Sequence, residues 1–188
     1  FTSIQDMFDL ANVVVEGRRE REFVPTIEAL RGVSEASSTD GTPEHVKARL
    51  ERAGAEMERV RLYQAETNDT WARDHGPITV VRDGSLMLLD FAFNGWGGKF
   101  PAELDDSLTT ALFAKKAFGD IAMESIPVVL EGGSIESDGH GTILTTASCL
   151  LNENRNGKTT ESEAEFVLRE HLGATRVLWL NHGHLDGD

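Results

Sequence analysis

Two carboxylates stand in similar surroundings 57 residues apart. Asp74 lies in the stretch ETNDTWARDHGPI, and Glu131 begins the stretch EGGSI. Each acid comes shortly before a glycine and a strand-like run. If the fold brings both acids to one pocket, the pocket would be strongly negative and would suit a planar guanidinium held by paired hydrogen bonds. The alternative is that each acid caps a turn or pairs with Arg73 or Arg82.

The two acids belong to a repeated pattern that predicts how they are positioned. RDHGPITVVRDGSLMLLDF matches LEGGSIESDGHGTILTTAS in the order of its turn glycines and apolar positions. Each copy predicts two strands around a glycine turn, then a helix (102–118 and 159–173) and a third strand (121–126 and 176–180). The chain is therefore of the α/β class, with a ββαβ unit present twice. Repeats of about 50 residues indicate a propeller or an array, and two copies seldom close one, so we expect a longer protein.

The chain ahead of the repeat is less regular. TPEHVKARLERAG (42–54) predicts a helix with a proline in its first turn, and ERVRLYQ (58–64) alternates like a strand. SEASSTDGTP has the composition of a linker, and before it only ANVVV (11–15) and REFVPTIEALRG predict short elements. We therefore assign residues 1–41 to an N-terminal segment of uncertain role and residues 42–188 to one domain.

Composition argues against several classes of protein. The net charge of −14 and the pI near 4.8 argue against a nucleic-acid ligand, because phosphate binding needs clustered Lys and Arg. No apolar run approaches the ~18 residues of a membrane-spanning helix, so no membrane partner is expected. The single cysteine, Cys149, permits no internal disulfide and indicates a reducing, cytoplasmic compartment.

Four stretches resemble one enzyme family: TNDTWARDHGPI (67–78), FNGWGG (93–98), LEGGSIESDGHGTILTTASCLLNENRN (130–156) and LWLNHGHLDGD (178–188). They are similar to the agmatine deiminases and bacterial-type peptidylarginine deiminases, which are guanidino-group modifying enzymes. The resemblance implies a pentein-type α/β propeller, in which five ββαβ units surround a pseudo-fivefold axis. This chain would supply only the N-terminal part of that propeller. The resemblance implies no cofactor and no metal.

The same resemblance implies a reaction and roles for several residues. The family hydrolyses a guanidinium to a ureido group, with a cysteine thiolate as nucleophile and a histidine that serves the leaving ammonia and then the water. By resemblance, Asp74 would anchor the guanidinium, and Glu131 would orient the histidine and raise its basicity. Asp69, Trp71 and Trp96 would line the pocket.

The groups that react are expected outside these 188 residues, which are therefore predicted to be inactive alone. The family's cysteine lies in a GGGNIHC-like motif that this chain lacks. The family's H-x-D motif would follow the last residue, so His184 is not assigned as the base. Cys149 is expected to be a packed core thiol. Four other histidines are expected to be solvated: His45, His75, His140 and His171.

Two other functions stay open. The chain could belong to a non-catalytic, pentein-like protein that binds guanidinium groups, because it has anchors and no nucleophile. The pattern His182-Gly183-His184-Leu185-Asp186 also resembles the zinc motif of metallo-β-lactamase-like hydrolases. Gly187 stands where that motif has its last histidine.

The stretch FAFNGWGGKFPAEL bears on the substrate. It has no arginine for a substrate carboxylate, and Lys99 is its only cation. It therefore resembles the agmatine branch of the family, whose reaction gives N-carbamoylputrescine for putrescine biosynthesis, more than the peptidylarginine branch. The expected partner is a small cationic guanidino molecule, and a homo-oligomer is compatible with the sequence.

Overall fold

The computed structural model describes residues 13–15, 43–63 and 65–183. In chain order the elements are β1 (Val13–Val15), α1 (Pro43–Arg52), β2 (Val60–Leu62), α2 (Ala72–His75), β3 (Ile78–Arg82), β4 (Ser85–Ala92), α3 (Gly95–Gly98), α4 (Glu103–Ala114), β5 (Ala122–Val129), β6 (Ile135–Ser137), β7 (Thr142–Thr146), α5 (Ala147–Leu150), α6 (Glu153–Asn156), α7 (Glu161–Leu172) and β8 (Arg176–Leu180). The short helix predicted in REFVPTIEALRG and the zinc-like residues His184 and Asp186 lie outside the described residues.

The first ββαβ unit consists of β3, β4, α4 and β5. Strands β3 and β4 are antiparallel and are joined by the two-residue turn Asp83-Gly84, in which both residues have a positive φ. A turn of this kind matches the twist of the strands, which is why an Asp-Gly pair is favoured there. Strand β5 pairs parallel to β4, and α4 makes the crossover that a parallel pair requires.

The second unit, β6, β7, α7 and β8, repeats this topology. β6 and β7 are antiparallel, β7 and β8 are parallel, and the strand order is again first, second, third. The register differs by one residue, since Ile78 pairs with Leu89 while its counterpart Ile135 pairs with Thr145. The ββαβ repeat predicted from the sequence is confirmed.

One hydrophobic core joins the two units. Leu89, Phe91 and Ile126 of the first unit are buried in the same cluster as Ile143 and Leu168 of the second. Burying each such side chain stabilises the fold by about 1.5–3 kcal/mol. The two units are therefore held together, and the loops that precede them have fixed relative positions.

The segment before the repeat forms a smaller cluster. Helix α1 buries Val46 and Leu50 against partly buried side chains that include Met57. The predicted strand at 58–64 is shorter than expected, because a 3₁₀ turn (Met57–Arg59) precedes β2. Strand β1 pairs antiparallel with β2. The division of the chain at 41/42 stays a prediction.

Candidate functional site

Asp74 lies at the junction of the two units, on the single-turn helix α2. It is half-buried, and each of its carboxylate oxygens accepts one hydrogen bond. Oδ1 accepts from the backbone N–H of Gly133 at 3.0 Å, and Oδ2 accepts from the indole Nε1 of Trp96 at 3.1 Å. Both donors are neutral. One lies in the loop before the second unit and the other in the turn after β4, so Asp74 connects three segments.

Neither Arg73 nor Arg82 forms an ion pair with Asp74, although the positive charge of Arg73 is near enough to lower the pKa of this carboxyl. Arg82 Nη1 is 2.6 Å from Glu124 Oε2, and Arg73 Nη2 is 3.9 Å from Glu136 Oε1. Pairing of Asp74 with Arg73 or Arg82 is therefore not observed. Turn capping is observed in part, through the bond from Gly133.

The environment of Asp74 favours the uptake of a cation. Burial raises the pKa of this carboxyl, and the hydrogen bonds from Trp96 and Gly133 offset only part of that rise. A half-buried carboxylate that lacks an ion pair with any described Lys or Arg gains most from a charged ligand. A guanidinium would supply both the charge and further N–H donors.

Glu131 occupies the equivalent place before the second unit, but its surroundings differ. Glu131 is 3% exposed, and its Oε1 accepts a hydrogen bond from Arg155 Nε at 2.9 Å. The side chains of Arg155 and Glu131 are 11% and 4% exposed, so this ion pair is nearly dry. Glu131 thus already holds a guanidinium, which belongs to the protein.

The loops of the two acids are in contact, as the repeat predicts. A Cβ atom on Gly132 would collide with the backbone carbonyl of Arg73, and one on Gly133 would collide with Asp74 Oδ1. Only glycine permits this approach at both positions. The requirement explains why EGGS has two adjacent glycines after its acid.

Trp96 reaches Asp74 through an unusual backbone. All four residues of α3, Gly95–Gly98, have a positive φ, and Trp96 has φ 58° and ψ 44°. A bulky residue in this region costs about 1–3 kcal/mol, so its surroundings must hold it there. The indole packs edge-to-face on Phe93 at 5.0 Å and on Phe100 at 5.8 Å. These contacts and the bond to Asp74 fix the ring beside the carboxylate.

Asp69 and Trp71 lie on the loop just before Asp74. The carboxylate of Asp69 accepts from the backbone N–H of Thr70 at 2.6 Å. Trp71 is 41% exposed, and its carbonyl accepts from the backbone N–H of Asp74 at 2.8 Å. The structure therefore brings this loop to Asp74 through the backbone. The lining role of both side chains stays a prediction.

Comparison with known proteins identifies the family. A family model described as Porphyromonas-type peptidyl-arginine deiminase matches residues 20–188. The chain belongs to this family. The resemblance stated from the sequence motifs is thereby confirmed.

Similar proteins include agmatine deiminases. A curated protein of Shewanella sp. (strain W3-18-1), named "Putative agmatine deiminase", is 42% identical over 144 residues, which cover 73% of this chain and 38% of the relative. The solved C. jejuni agmatine deiminase with substrate bound, a cysteine-to-serine variant, is 39% identical with a TM-score of 0.64, covering 76% of this chain and 42% of that one. The solved agmatine deiminase of Enterococcus faecalis is 37% identical with a TM-score of 0.59, covering 64% and 34%.

These likenesses also bear on the fold. The pentein-type α/β class predicted from the sequence is confirmed by its solved neighbours. The chain spans well under half the length of each relative named above. Two described cavities, of about 590 and 850 Å³, lie along β5 and α7 and between the two units. Neither cavity is lined by Asp74 or Glu131, so neither is the shared pocket of the two acids that the repeat predicts.

His75 corrects an expectation. It was predicted to be solvated, yet it is 3% exposed and packs on Phe93 with ring centroids 5.5 Å apart. Its Nε2 is 4.0 Å from the fully buried Asp105 Oδ1. Burial lowers the pKa of His75, and the nearby carboxylates, Asp105 foremost, offset only part of that effect. A single helical turn has no apolar periodicity, so the sequence does not indicate which side of the turn His75 faces. Of the other histidines, His140 is exposed, His171 is half-buried, and the side chain of His45 lies outside what the structure describes.

Cys149 is half-buried on α5 rather than packed in the core, where its neighbour Leu150 lies. It is close enough to Glu131, Arg155 and Asp74 for their charges to act on it. Burial raises the pKa of this thiol, the negative charge of Glu131 raises it further, and Arg155 lowers it. A thiol with a raised pKa is a poor nucleophile at neutral pH. Cys149 therefore does not have the properties of a reacting cysteine.

Sequence reasoning missed Arg155 and Asp105. Arg155 belongs to the NENRN end of a family-like stretch, but nothing in that pattern showed that its partner lay 24 residues earlier. Asp105 stands beside Asp106 in a predicted helix, and the apolar spacing of that helix does not predict that its carboxylate is fully buried. Within the part of the chain that the structure describes, no His, Cys, Asp and Glu side chains group to hold a metal, and no helix could span a membrane.

Proposed function

We propose that the full-length protein that carries this chain is a guanidine deiminase, with agmatine as its preferred substrate. It would hydrolyse agmatine to N-carbamoylputrescine and ammonia, a step of putrescine biosynthesis. The observation that carries the proposal is the Asp74 carboxylate. It is half-buried, is hydrogen-bonded only by the neutral donors Gly133 and Trp96 among the described residues, and lies at the N–H edge of the Trp96 indole.

Asp74 would hold the substrate guanidinium by charge-assisted hydrogen bonds, which are roughly twice as strong as neutral ones. Trp96 and Trp71 offer ring faces that attract a guanidinium. Asp69 would add negative charge at the same loop. Binding would keep the guanidinium protonated, and so keep its carbon electrophilic towards a thiolate.

Glu131 would act with groups supplied by the rest of the protein. Its family role is to orient a histidine, and its bond to Arg155 occupies one carboxylate oxygen, Oε1. The other oxygen, Oε2, can accept from an imidazole N–H and raise the basicity of the ring. The reacting cysteine and histidine would come from outside these 188 residues.

Agmatine is favoured over peptidylarginine because of its charge. Its far end is an amine, which an acidic surface attracts, whereas a peptide carboxylate would need a cationic clamp. Lys99 is exposed and is the only cation in the stretch that follows β4. The C. jejuni relative with bound substrate is an agmatine deiminase. We further infer that the protein is cytoplasmic and has no nucleic-acid partner. A homo-oligomeric state is compatible with the sequence.

The alternative is a guanidinium-binding protein without catalysis, in which the Asp74 carboxylate would hold the ligand in the same way. In that case agmatine would bind to Asp74 and leave unchanged.

An assay of the full-length protein decides between these functions. Agmatine, an arginine peptide and free arginine are each supplied, and ammonia and ureido product are measured. The proposal expects turnover of agmatine with kcat/KM at least tenfold above the arginine peptide. Calorimetric binding of agmatine without ammonia release would establish the binding protein instead. No binding and no turnover would contradict both functions.

A further inference from the structure

The loop that carries Asp69 and Trp71 is fastened to the first turn of α4. Asp105 is fully buried, and its Oδ1 accepts from the backbone N–H groups of Asn68 at 2.8 Å and of Asp69 at 3.1 Å. Its Oδ2 also accepts from Asp69 N at 3.1 Å. A buried carboxylate is costly unless its hydrogen bonds are made, so the loop cannot leave Asp105 without leaving that charge unsatisfied.

The fastening is reciprocal. The side-chain Oδ1 of Asn68 accepts from the backbone N–H of Leu104 at 2.8 Å, one of the free donors at the start of α4. The loop thus caps the helix, while the helix holds the loop. This arrangement joins two segments that are 36 residues apart.

The next residue of the same helix, Asp106, holds the segment that leads to Trp96. Asp106 Oδ1 accepts from the backbone N–H of Phe93 at 2.7 Å. Phe93 follows β4, contacts the Trp96 ring, and precedes the strained turn in which Trp96 lies. Consecutive residues of a helix point about 100° apart, so two adjacent carboxylates can reach two different segments.

We propose that Asp105 and Asp106 are positioning residues for guanidinium recognition. Asp105 positions the loop that carries Asp69 and Trp71, and Asp106 positions the turn that carries Trp96. Both acids belong to the first turn of α4, which therefore fixes the distance between these two segments. Asp74 lies between them, bonded by its backbone to Trp71 and by its side chain to Trp96. The inference rests on the proposed function, because it assigns these residues to the same pocket.

The test compares four variants of the full-length protein. Asp105→Ala and Asp106→Ala remove the two acceptors. Asp106→Asn keeps an oxygen at Oδ1 and is the conservative rescue. Glu103→Ala removes an exposed acid from the same helix turn and is the control for charge and helix capping. Each is studied well below its thermal midpoint.

Two readouts separate positioning from general stability. Hydrogen exchange measures the backbone of 66–71 and 92–98, and steady-state kinetics gives kcat and KM for agmatine. Asp105→Ala should speed exchange in the first segment, Asp106→Ala in the second, and each should lower kcat/KM by about tenfold to a hundredfold. Asp106→Asn should restore kcat/KM to within about threefold of wild type, and Glu103→Ala should change neither readout.

The exchange readout does not need turnover. If the wild-type protein fails to deiminate agmatine while exchange still rises in the expected segments, the proposed function fails, and with it the assignment of these two residues to guanidinium recognition. Unchanged exchange in both variants overturns the fastening itself. Faster exchange with unchanged kcat and KM overturns the positioning role while leaving the deiminase proposal intact.

Discussion

The two ββαβ units present the same acid position in two different states. In the first unit Asp74 is half-buried and is bonded only by neutral N–H groups. In the second unit Glu131 is nearly inaccessible and is paired with the guanidinium of Arg155. Sheet order and strand direction are shared, so the scaffold does not explain the difference.

Local residues around each acid produce that difference. After Glu131 come two small residues, Gly132 and Gly133, which let the first unit's loop approach. At the positions equivalent to these, the first unit has His75 and Gly76, and His75 is turned inward onto Asp105. A repeated frame can therefore supply one acid that is open to a ligand and one that is held by the protein.

The largest expected effect is on Asp74. Under the proposed function, Asp74→Asn removes the charge that would bind the substrate guanidinium, and losing one partner of such a pair costs about 3–5 kcal/mol. We expect kcat/KM for agmatine to fall about a thousandfold. The pKa of Asp74 is raised on folding, so its charge opposes folding at neutral pH, and the thermal midpoint should not fall. Kinetics and calorimetric melting of the same sample check both statements.

Replacing Arg155 should lower the stability of the fold, unlike the replacement of Asp74, which should lower activity without lowering the thermal midpoint. Arg155→Met leaves the buried Glu131 carboxylate without its partner, which should lower the free energy of unfolding by about 3–5 kcal/mol. Arg82→Met is the matched control, because Arg82 and Glu124 form a pair with both side chains 40% exposed. Exposed pairs contribute at most about 1 kcal/mol. Equal losses in the two variants by urea unfolding would refute the contrast between the acids.

The contact between the two acid loops can be disturbed by one methyl group. Gly133→Ala places a Cβ against Asp74 Oδ1, so the carboxylate must turn away and its bond to Gly133 N must lengthen. We expect KM for agmatine to rise about tenfold. Gly183→Ala is the control, since the one atom of the described residues that a Cβ there would meet is the Thr146 methyl group, at an ordinary distance of 3.4 Å. A KM unchanged by Gly133→Ala would show that this contact does not set the position of Asp74.

The smallest expected effect comes from His75, and it depends on pH. Its pKa is lowered on folding, so below the usual 6.5 the unfolded chain binds the proton more readily. Stability is therefore fully present above pH 6.5 and is lost as the pH falls from there towards the folded-state pKa, by at most about 1.4 kcal/mol per unit. His75→Leu should flatten the slope between pH 6.5 and 5. Urea unfolding across that range measures it, and parallel slopes would be incompatible with a buried neutral His75.

The sequence predicted the repeat because the repeat is local. Asp83-Gly84 and the alternating residues around it specify a hairpin with no help from the rest of the chain. The helices at 103–114 and 161–172 followed from apolar spacing and differ from prediction only at their ends. The acid positions followed from alignment of one copy on the other.

The parts of the site that could not be predicted depend on long-range partners. The bond of Arg155 to Glu131, and those of Asp105 to the backbone of Asn68 and Asp69, join residues far apart in sequence. The left-handed backbone at Trp96 could not be predicted either, because a tryptophan adopts it only where contacts such as those with Phe93 and Asp74 stabilise it. Periodicity describes faces of elements, and it carries no information on such pairs.

The most direct test of the account is a crystal structure of the full-length protein with agmatine, trapped by replacing the reacting cysteine with serine. We expect the substrate guanidinium within ~3 Å of a carboxylate oxygen of Asp74, with Arg155 still bonded to Glu131. A guanidinium bound in place of Arg155 on Glu131, with Asp74 unoccupied, would contradict the assignment of the open acid to the first unit.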